Sequence, residues 1–217
     1  SIAFRSSTIV RSSSKSVIGS TSSYCFGWTL MTSTYLHPIP VFAVLAAISA
    51  SLGATIVGAG YGNAPNPGIY MTLTGLWFGI VMGFGVWRWA KASLAASAIT
   101  LLVTWVAWEA AVNLAIRIDQ PWPDAIEIAK VYKSYLTGVI AGAVGAFVTW
   151  VGIGLNVGIL RRGSVAAEVT ITGALFGLLF PAVDYFDSGL VLLLPWQVAV
   201  AMVIGFKMPK AAGLAEV

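Results

Sequence analysis

The chain has 217 residues, of which 58% are hydrophobic and only 9% are charged, and its mean hydropathy is +0.87. Soluble domains carry about 25% charged residues and disordered chains are poor in apolar ones, so this composition excludes both classes. From Ser16 to Trp87 no side chain is formally charged, a stretch long enough for more than one membrane-spanning helix. The sequence therefore predicts an all-α integral membrane protein.

The net charge of +4 does not indicate a nucleic-acid partner, because the basic residues are scattered singly or in pairs between hydrophobic segments. A single cysteine, Cys25, and a single histidine, His37, provide no disulfide framework, no Cys/His metal cluster and no nucleophile pair. The sequence also lacks a GxSxG elbow and paired carboxylates within its hydrophobic segments. We expect no enzymatic activity, no catalytic residues, no metal and no cofactor.

Residues 1–38 precede the first hydrophobic segment and contain basic residues and many Ser and Thr but no acid. This composition is typical of an organelle transit peptide. We favour the simpler alternative, in which Met31 is the true start of the protein. Both interpretations predict a disordered or processed tail over 1–38, followed by a membrane domain over 39–210.

Hydrophobic windows separated by turn residues predict six transmembrane helices. They are expected over residues 40–60, 69–87, 93–116, 136–160, 166–183 and 189–206. The break at 61–68 is rich in Gly, Asn and Pro, which supply a tight turn without charge. The longest loop, 118–135, is predicted to hold a short surface helix capped by Asp124, with Tyr132 and Tyr135 facing lipid or the bundle.

The distribution of charge predicts the orientation in the membrane. With both termini in the cytoplasm, most of the basic residues lie inside, whereas the acids of the loops lie outside. The inner set is Arg5, Arg11, Lys15, Arg88, Lys91, Arg161, Arg162, Lys207 and Lys210, and the outer set of basic residues is Arg117, Lys130 and Lys133. We expect a bacterial inner membrane, or an organellar membrane if the tail is a transit peptide.

Three segments of the first half recur in the same order in the second half. Residues 55–63 (TIVGAGYGN) parallel 149–156 (TWVGIGLN), 72–79 (TLTGLWFG) parallel 170–177 (TITGALFG), and 108–112 (WEAAV) parallel 196–200 (WQVAV). We interpret this order as a duplication, with repeat one over 40–117 and repeat two over 136–207. Because each unit crosses the membrane three times, the two units run in opposite directions and form inverted three-helix repeats.

Small residues at four-residue spacing form smooth faces on the predicted helices, and such faces let membrane helices approach closely. They are Gly75, Gly79 and Gly83, then Gly138, Gly142 and Ala146, and finally Gly173 and Gly177. Packing within the chain is the default use of these faces. A second copy of the chain or another membrane protein is the alternative.

Glu109 is the only acid well inside a predicted span, where a charge costs about 2.5–3.5 kcal/mol on insertion scales. At about 100° per residue, Trp105, Glu109 and Asn113 share one line of the helix. The repeat counterpart of Glu109 is Gln197, which follows Pro195, a residue expected to kink its helix. We predict a substrate or ion site between the repeats, in which the acid is the proton or cation partner and the amides are hydrogen-bond contacts. The alternative is that Glu109 is only a structural hydrogen-bond anchor.

Other polar and aromatic residues have structural explanations. Glu168 lies in the first turns of its helix close to Arg161 and Arg162, where the helix dipole and the cations favour an acid. Tryptophans near the predicted interfaces fit aromatic belts. These are Trp77, Trp87, Trp89, Trp122 and Trp196.

Taken together, the predicted function is a transporter or channel for a small solute or ion, with a site between inverted repeats and proton coupling through Glu109. The alternative is a non-transporting scaffold or assembly subunit of a larger membrane complex. That subunit would bind its partners through the glycine faces.

Overall fold

The computed structural model describes residues 37–57, 73–119 and 130–213. Over these residues the chain is helical apart from short connections and contains no strand. Helices satisfy their backbone donors and acceptors internally, which lipid requires. The elements in chain order are α1 (Pro38–Val57), α2 (Thr74–Trp89), α3 (Leu94–Asp119), α4 (Lys130–Asn156), a short 3-10 turn (Gly158–Arg161), α5 (Gly163–Gly177), α6 (Phe180–Phe186) and α7 (Leu190–Gly213).

Five helical segments of the described residues are long and apolar enough to cross a membrane. These segments belong to α1, α3, α4, the α5–α6 pair and α7. The chain is therefore an all-helical protein with membrane-spanning character. Helix α2 has 16 described residues, about 24 Å of helix against a hydrocarbon core of about 30 Å. A sixth span stays a prediction, because residues 69–72 at its expected start lie outside the described residues.

The structure corrects the sequence in two places. Helix α4 begins at Lys130, so Tyr132 and Tyr135 lie in its first turns and not on a separate surface helix. The fifth predicted span is divided at 178–179 into α5 and α6, with Pro181 in the first turn of α6.

Other predictions are not tested. Helix α7 continues through Pro195, and a kink within it stays a prediction. Residues 1–36 of the predicted tail, the turn at 61–68 and the cap at Asp124 fall outside the described residues.

Apart from α5 and α6, which together form one candidate span, consecutive helices run antiparallel and pack side by side. Gly53 meets Thr74 at one end of the α1–α2 pair, and Phe42 meets Gly85 at the other. The contacts continue from α2 to α3, α4, α5 and α7, and α7 returns to α1. Helices α1 and α4 therefore point in opposite directions, as inverted repeats require. Any bundle in which successive spans alternate in direction gives α1 and α4 opposite directions. This observation therefore does not test the inverted repeat, which stays a prediction.

Helices α4 and α5 approach each other through glycines. Gly138 and Gly142 of α4 face Gly177 and Gly173 of α5, and a β-carbon at any of the four would overlap a backbone oxygen of the other helix. The next residue on the α4 face, Ala146, also packs against Gly173. This contact uses the α4 and α5 glycine faces within the chain.

The glycine face of α2 is occupied in the same way by α3. Gly79 lies against the carbonyl oxygen of Leu101, and Gly83 lies against that of Ser97. The three predicted small-residue faces, on α2, α4 and α5, are thus covered by helices of the same chain. Assembly with a partner protein stays a prediction, and it would use surfaces other than these faces.

The helix directions place one group of charges at each end of the bundle. The ends of α2, α4 and α7 share one end of the bundle, and their charged residues are Arg88, Lys91, Arg161, Arg162, Glu168 and Lys207. Arg161 donates to the carbonyl oxygens of Gly154 and Leu155, both at 2.9 Å, and so caps the end of α4. The opposite end carries Arg117, Asp119, Lys133, Asp184 and Asp187.

Glu168 has a different partner from the one that the sequence suggested. Its Oε2 atom lies 2.6 Å from the Nζ atom of Lys207 in α7. This ion pair ties the start of α5 to the end of α7, because the two helices run antiparallel. Glu168 therefore joins α5 to α7, and its cation comes from a helix that is distant in sequence. A purely structural role stays a prediction.

We expect Gly142→Ala to destabilise the protein, because the added methyl group forces α4 away from the carbonyl oxygen of Gly173. Overpacking of this kind costs about 1–3 kcal/mol. Gly163→Ala is the matched control, since a β-carbon there meets nothing within 4 Å. Reversible unfolding in mixed micelles measures both variants. Equal stability of the two variants would contradict the close α4–α5 packing.

Candidate functional site

The structure brings Trp105, Glu109 and Asn113 together on α3. The Nε1 atom of Trp105 donates to Oε1 of Glu109 at 3.2 Å, and Nδ2 of Asn113 donates to the backbone oxygen of Glu109 at 2.7 Å. Both contacts join residues four apart, which are neighbours on one helix face. Glu109 itself is only 5% exposed. The acid is therefore buried and held by an indole N–H, as the spacing predicts.

Glu109 and Thr104 lie on different faces of α3. Thr104 is 1% exposed and lies in the buried strip of α3 with Ala107 and Ala111. At about 100° per residue, Glu109 lies about 140° around the helix from Thr104. Leu102, which is 52% exposed, lies within about 20° of the Glu109 direction. Glu109 is nevertheless buried, so neighbouring residues cover this part of α3.

Gln197 lies on α7 and is completely buried. Neither its Oε1 nor its Nε2 atom has a hydrogen-bond partner among the described residues. Glu109 and Gln197 are therefore not hydrogen-bonded to each other, although the sequence assigned both to one site. A buried polar group without a partner costs about 1–3 kcal/mol. A purely structural role for α7 therefore does not explain the free-energy cost of burying Gln197.

The residues that do meet between the two halves are the tryptophans beside this pair. The rings of Trp108 and Trp196 are 6.2 Å apart in an edge-to-face arrangement, a geometry that aromatic pairs favour. Trp196 also packs on Phe78, 5.8 Å away, and its Nε1 atom donates to the oxygen of Gly173 at 3.1 Å. Trp196 is 5% exposed, so its assignment to an interfacial belt is wrong.

The sequence missed a set of buried hydroxyl and indole groups. The atoms concerned are Ser49 Oγ, Thr74 Oγ1, Trp77 Nε1, Ser97 Oγ, Thr104 Oγ1 and Trp108 Nε1, none of which has a hydrogen-bond partner among the described residues. Ser and Thr are common in apolar helices, where they often bond to their own backbone. Two of these groups lie at the glycine face of α2. Thr74 is next to this face on α2, and Ser97 lies opposite it on α3. The glycine face was therefore the feature that could have indicated them.

A cavity of about 80 Å³ lies between α3 and the helices of the second half. Its walls include Trp108, Ala111, Gly142 and Trp196, and they are almost entirely apolar. None of the four predicted site residues lines it. The cavity lies between the predicted repeats, but its lining does not provide hydrogen bonds to a polar solute.

Comparison with known proteins found no family model, no curated protein and no solved structure that matches this chain. The described residues also hold no group of three or more His, Cys, Asp or Glu side chains that could bind a metal.

We expect Trp105→Phe to destabilise the protein by about 1 kcal/mol, because the buried carboxyl group of Glu109 loses an indole donor. Trp87→Phe makes the same change of ring at a position that is 47% exposed and serves as the control. Unfolding in mixed micelles compares the two variants. Equal losses would mean that the Trp105 N–H contributes nothing beyond its ring.

Proposed function

We propose that this membrane protein carries a small solute or ion across the bilayer through the interior of its helical bundle. The observation that supports the proposal is the buried amide of Gln197, which has no hydrogen-bond partner among the described residues. Polar groups within membrane spans are costly and commonly line the paths of solutes, ions or protons.

The buried polar groups extend along the bundle. Ser97 lies in the first turn of α3, and Thr104 lies seven residues further, a rise of about 10 Å. Thr74 begins the antiparallel helix α2 at the opposite end. Gln197 occupies an intermediate position on α7. Hydrogen-bonding side chains are thus available at successive depths, as passage of a polar solute requires.

The internal symmetry of the aromatic contacts supports an inverted repeat. Trp108 and Trp196 occupy equivalent positions in the two proposed repeats, and their rings are in contact. Trp108 packs on Gly75, and Trp196 bonds to Gly173, the counterpart of Gly75. Two residues that are related by a two-fold axis and contact each other must lie close to that axis. An inverted repeat gives two related arrangements of one unit, which is the basis of alternating access.

Glu109 is proposed as the proton or cation partner of the transport step, with Asn113 and Trp105 holding it in place. Its burial supports such a role. We also propose that the end that carries Arg88, Lys91 and Lys207 faces the cytoplasm of a bacterial inner membrane, because basic residues remain on that side.

Flux measurements on proteoliposomes test this function. We expect vesicles that contain the wild-type protein to admit at least one small polar solute or ion faster than protein-free vesicles. Glu109→Gln should lower that flux about tenfold if the carboxyl group takes part, which corresponds to about 1.4 kcal/mol. Glu168→Gln is the matched control, because Glu168 lies at the end of the bundle and is 47% exposed.

Two results would contradict the proposal. Wild-type vesicles that are no more permeable than protein-free vesicles to all probes would remove the transport function. An equal loss of flux in both Glu variants would remove the special role of Glu109. Unfolding temperatures of the variants separate a lost function from a lost fold.

A further inference from the structure

Helices α1, α2 and α7 pack on one another. Phe42 of α1 lies against Gly205 of α7, and the two helices run antiparallel. Moving eight residues along each helix from this contact leads to Ala50 on α1 and Gln197 on α7, at the same depth. Ser49, which is 2% exposed, is therefore about level with Gln197.

Thr74 joins the same region from α2. Its methyl group lies against Gly53, one turn from Ser49 along α1. Its hydroxyl group is buried and has no hydrogen-bond partner among the described residues. Three helices thus supply two hydroxyl groups and one amide within about two helical turns of depth.

These groups are all uncharged, and each can both donate and accept hydrogen bonds. Among the described residues, Glu109 is the only buried side chain that can carry a charge, and it lies about 140° around α3 from Thr104. An ion in this region would lose its water and gain only neutral dipoles, at a high cost in free energy. A neutral molecule would exchange its hydrogen bonds with water for bonds to the amide and hydroxyl groups.

We infer that Gln197, with Ser49 and Thr74, forms the selective contact for a small uncharged molecule that both donates and accepts hydrogen bonds. Water, urea and glycerol represent this class. The inference rests on the proposed transport function and decides between the two substrate classes named there, in favour of neutral solutes.

Stopped-flow shrinkage and swelling of proteoliposomes test the inference with water, urea and glycerol as separate probes. Leakage of protons, potassium and chloride is measured on the same vesicles. We expect wild-type protein to accelerate at least one neutral probe while leakage of potassium and chloride stays at the level of protein-free vesicles. Gln197→Leu should slow that neutral flux about tenfold, the factor expected when a buried polar contact is lost.

A matched pair of serines provides the control. Ser49→Ala should also slow the neutral flux, whereas Ser51→Ala should not, since Ser51 is exposed on the same helix and bonds to the oxygen of Ala47. Gln197→Leu should keep or raise the unfolding temperature in solute-free micelles, because it removes a buried amide that has no hydrogen-bond partner among the described residues. This readout separates lost selectivity from misfolding.

The outcomes distinguish the two proposals. No flux of any probe by the wild type overturns both. Ion flux without neutral flux keeps the transport function and overturns the neutral class. Neutral flux that is equal in the wild type and Gln197→Leu overturns the role of Gln197 alone. If Gln197→Leu fails to fold, equal neutral flux in Ser49→Ala and Ser51→Ala overturns the proposed site.

Discussion

The close approach of backbones at glycines is the contact on which this bundle depends. In lipid, apolar side chains gain little by leaving their surroundings, so membrane helices associate mainly by tight packing and hydrogen bonds. Gly138 and Gly142 bring α4 against α5, and Gly79 and Gly83 bring α2 against α3. Two helix pairs are fixed in this way, and the remaining elements pack on them. The position of α2 also sets where Phe78 and Thr74 enter the interior.

The aromatic centre follows from this packing. Gly75 leaves room for Trp108, and α4 leaves room for Trp196 at Gly145, where a β-carbon would approach the ring. Trp108 and Trp196 then fill the space between the two halves of the chain. The polar atoms of Gln197 and Thr104 are buried in helices that contribute to this centre. Large aromatic rings fill this interior. The polar atoms of Gln197 and Thr104 have no hydrogen-bond partner among the described residues, so their burial costs free energy.

Part of the candidate site could be predicted because it depends only on helical spacing. Trp105, Glu109 and Asn113 are four residues apart, so any α-helix places them together. The predicted contact between Glu109 and Gln197 depended on how α3 and α7 are each rotated about their own axes. The structure shows no hydrogen bond between them. Trp196 was assigned to the interface because position along the chain indicates depth in the bilayer but not the direction in which a side chain points.

The sequence by itself determined the membrane class, the approximate helix positions, the glycine faces and the i, i+4 contacts of Glu109. Hydropathy and helical periodicity are local properties, so a single chain read in order contains them. Only the tertiary structure decided that Lys207 pairs with Glu168, that Trp196 is central, and that Gln197, Ser49 and Thr74 are buried without partners among the described residues. These facts depend on which helices are neighbours and how each is rotated, and packing across the whole bundle sets both.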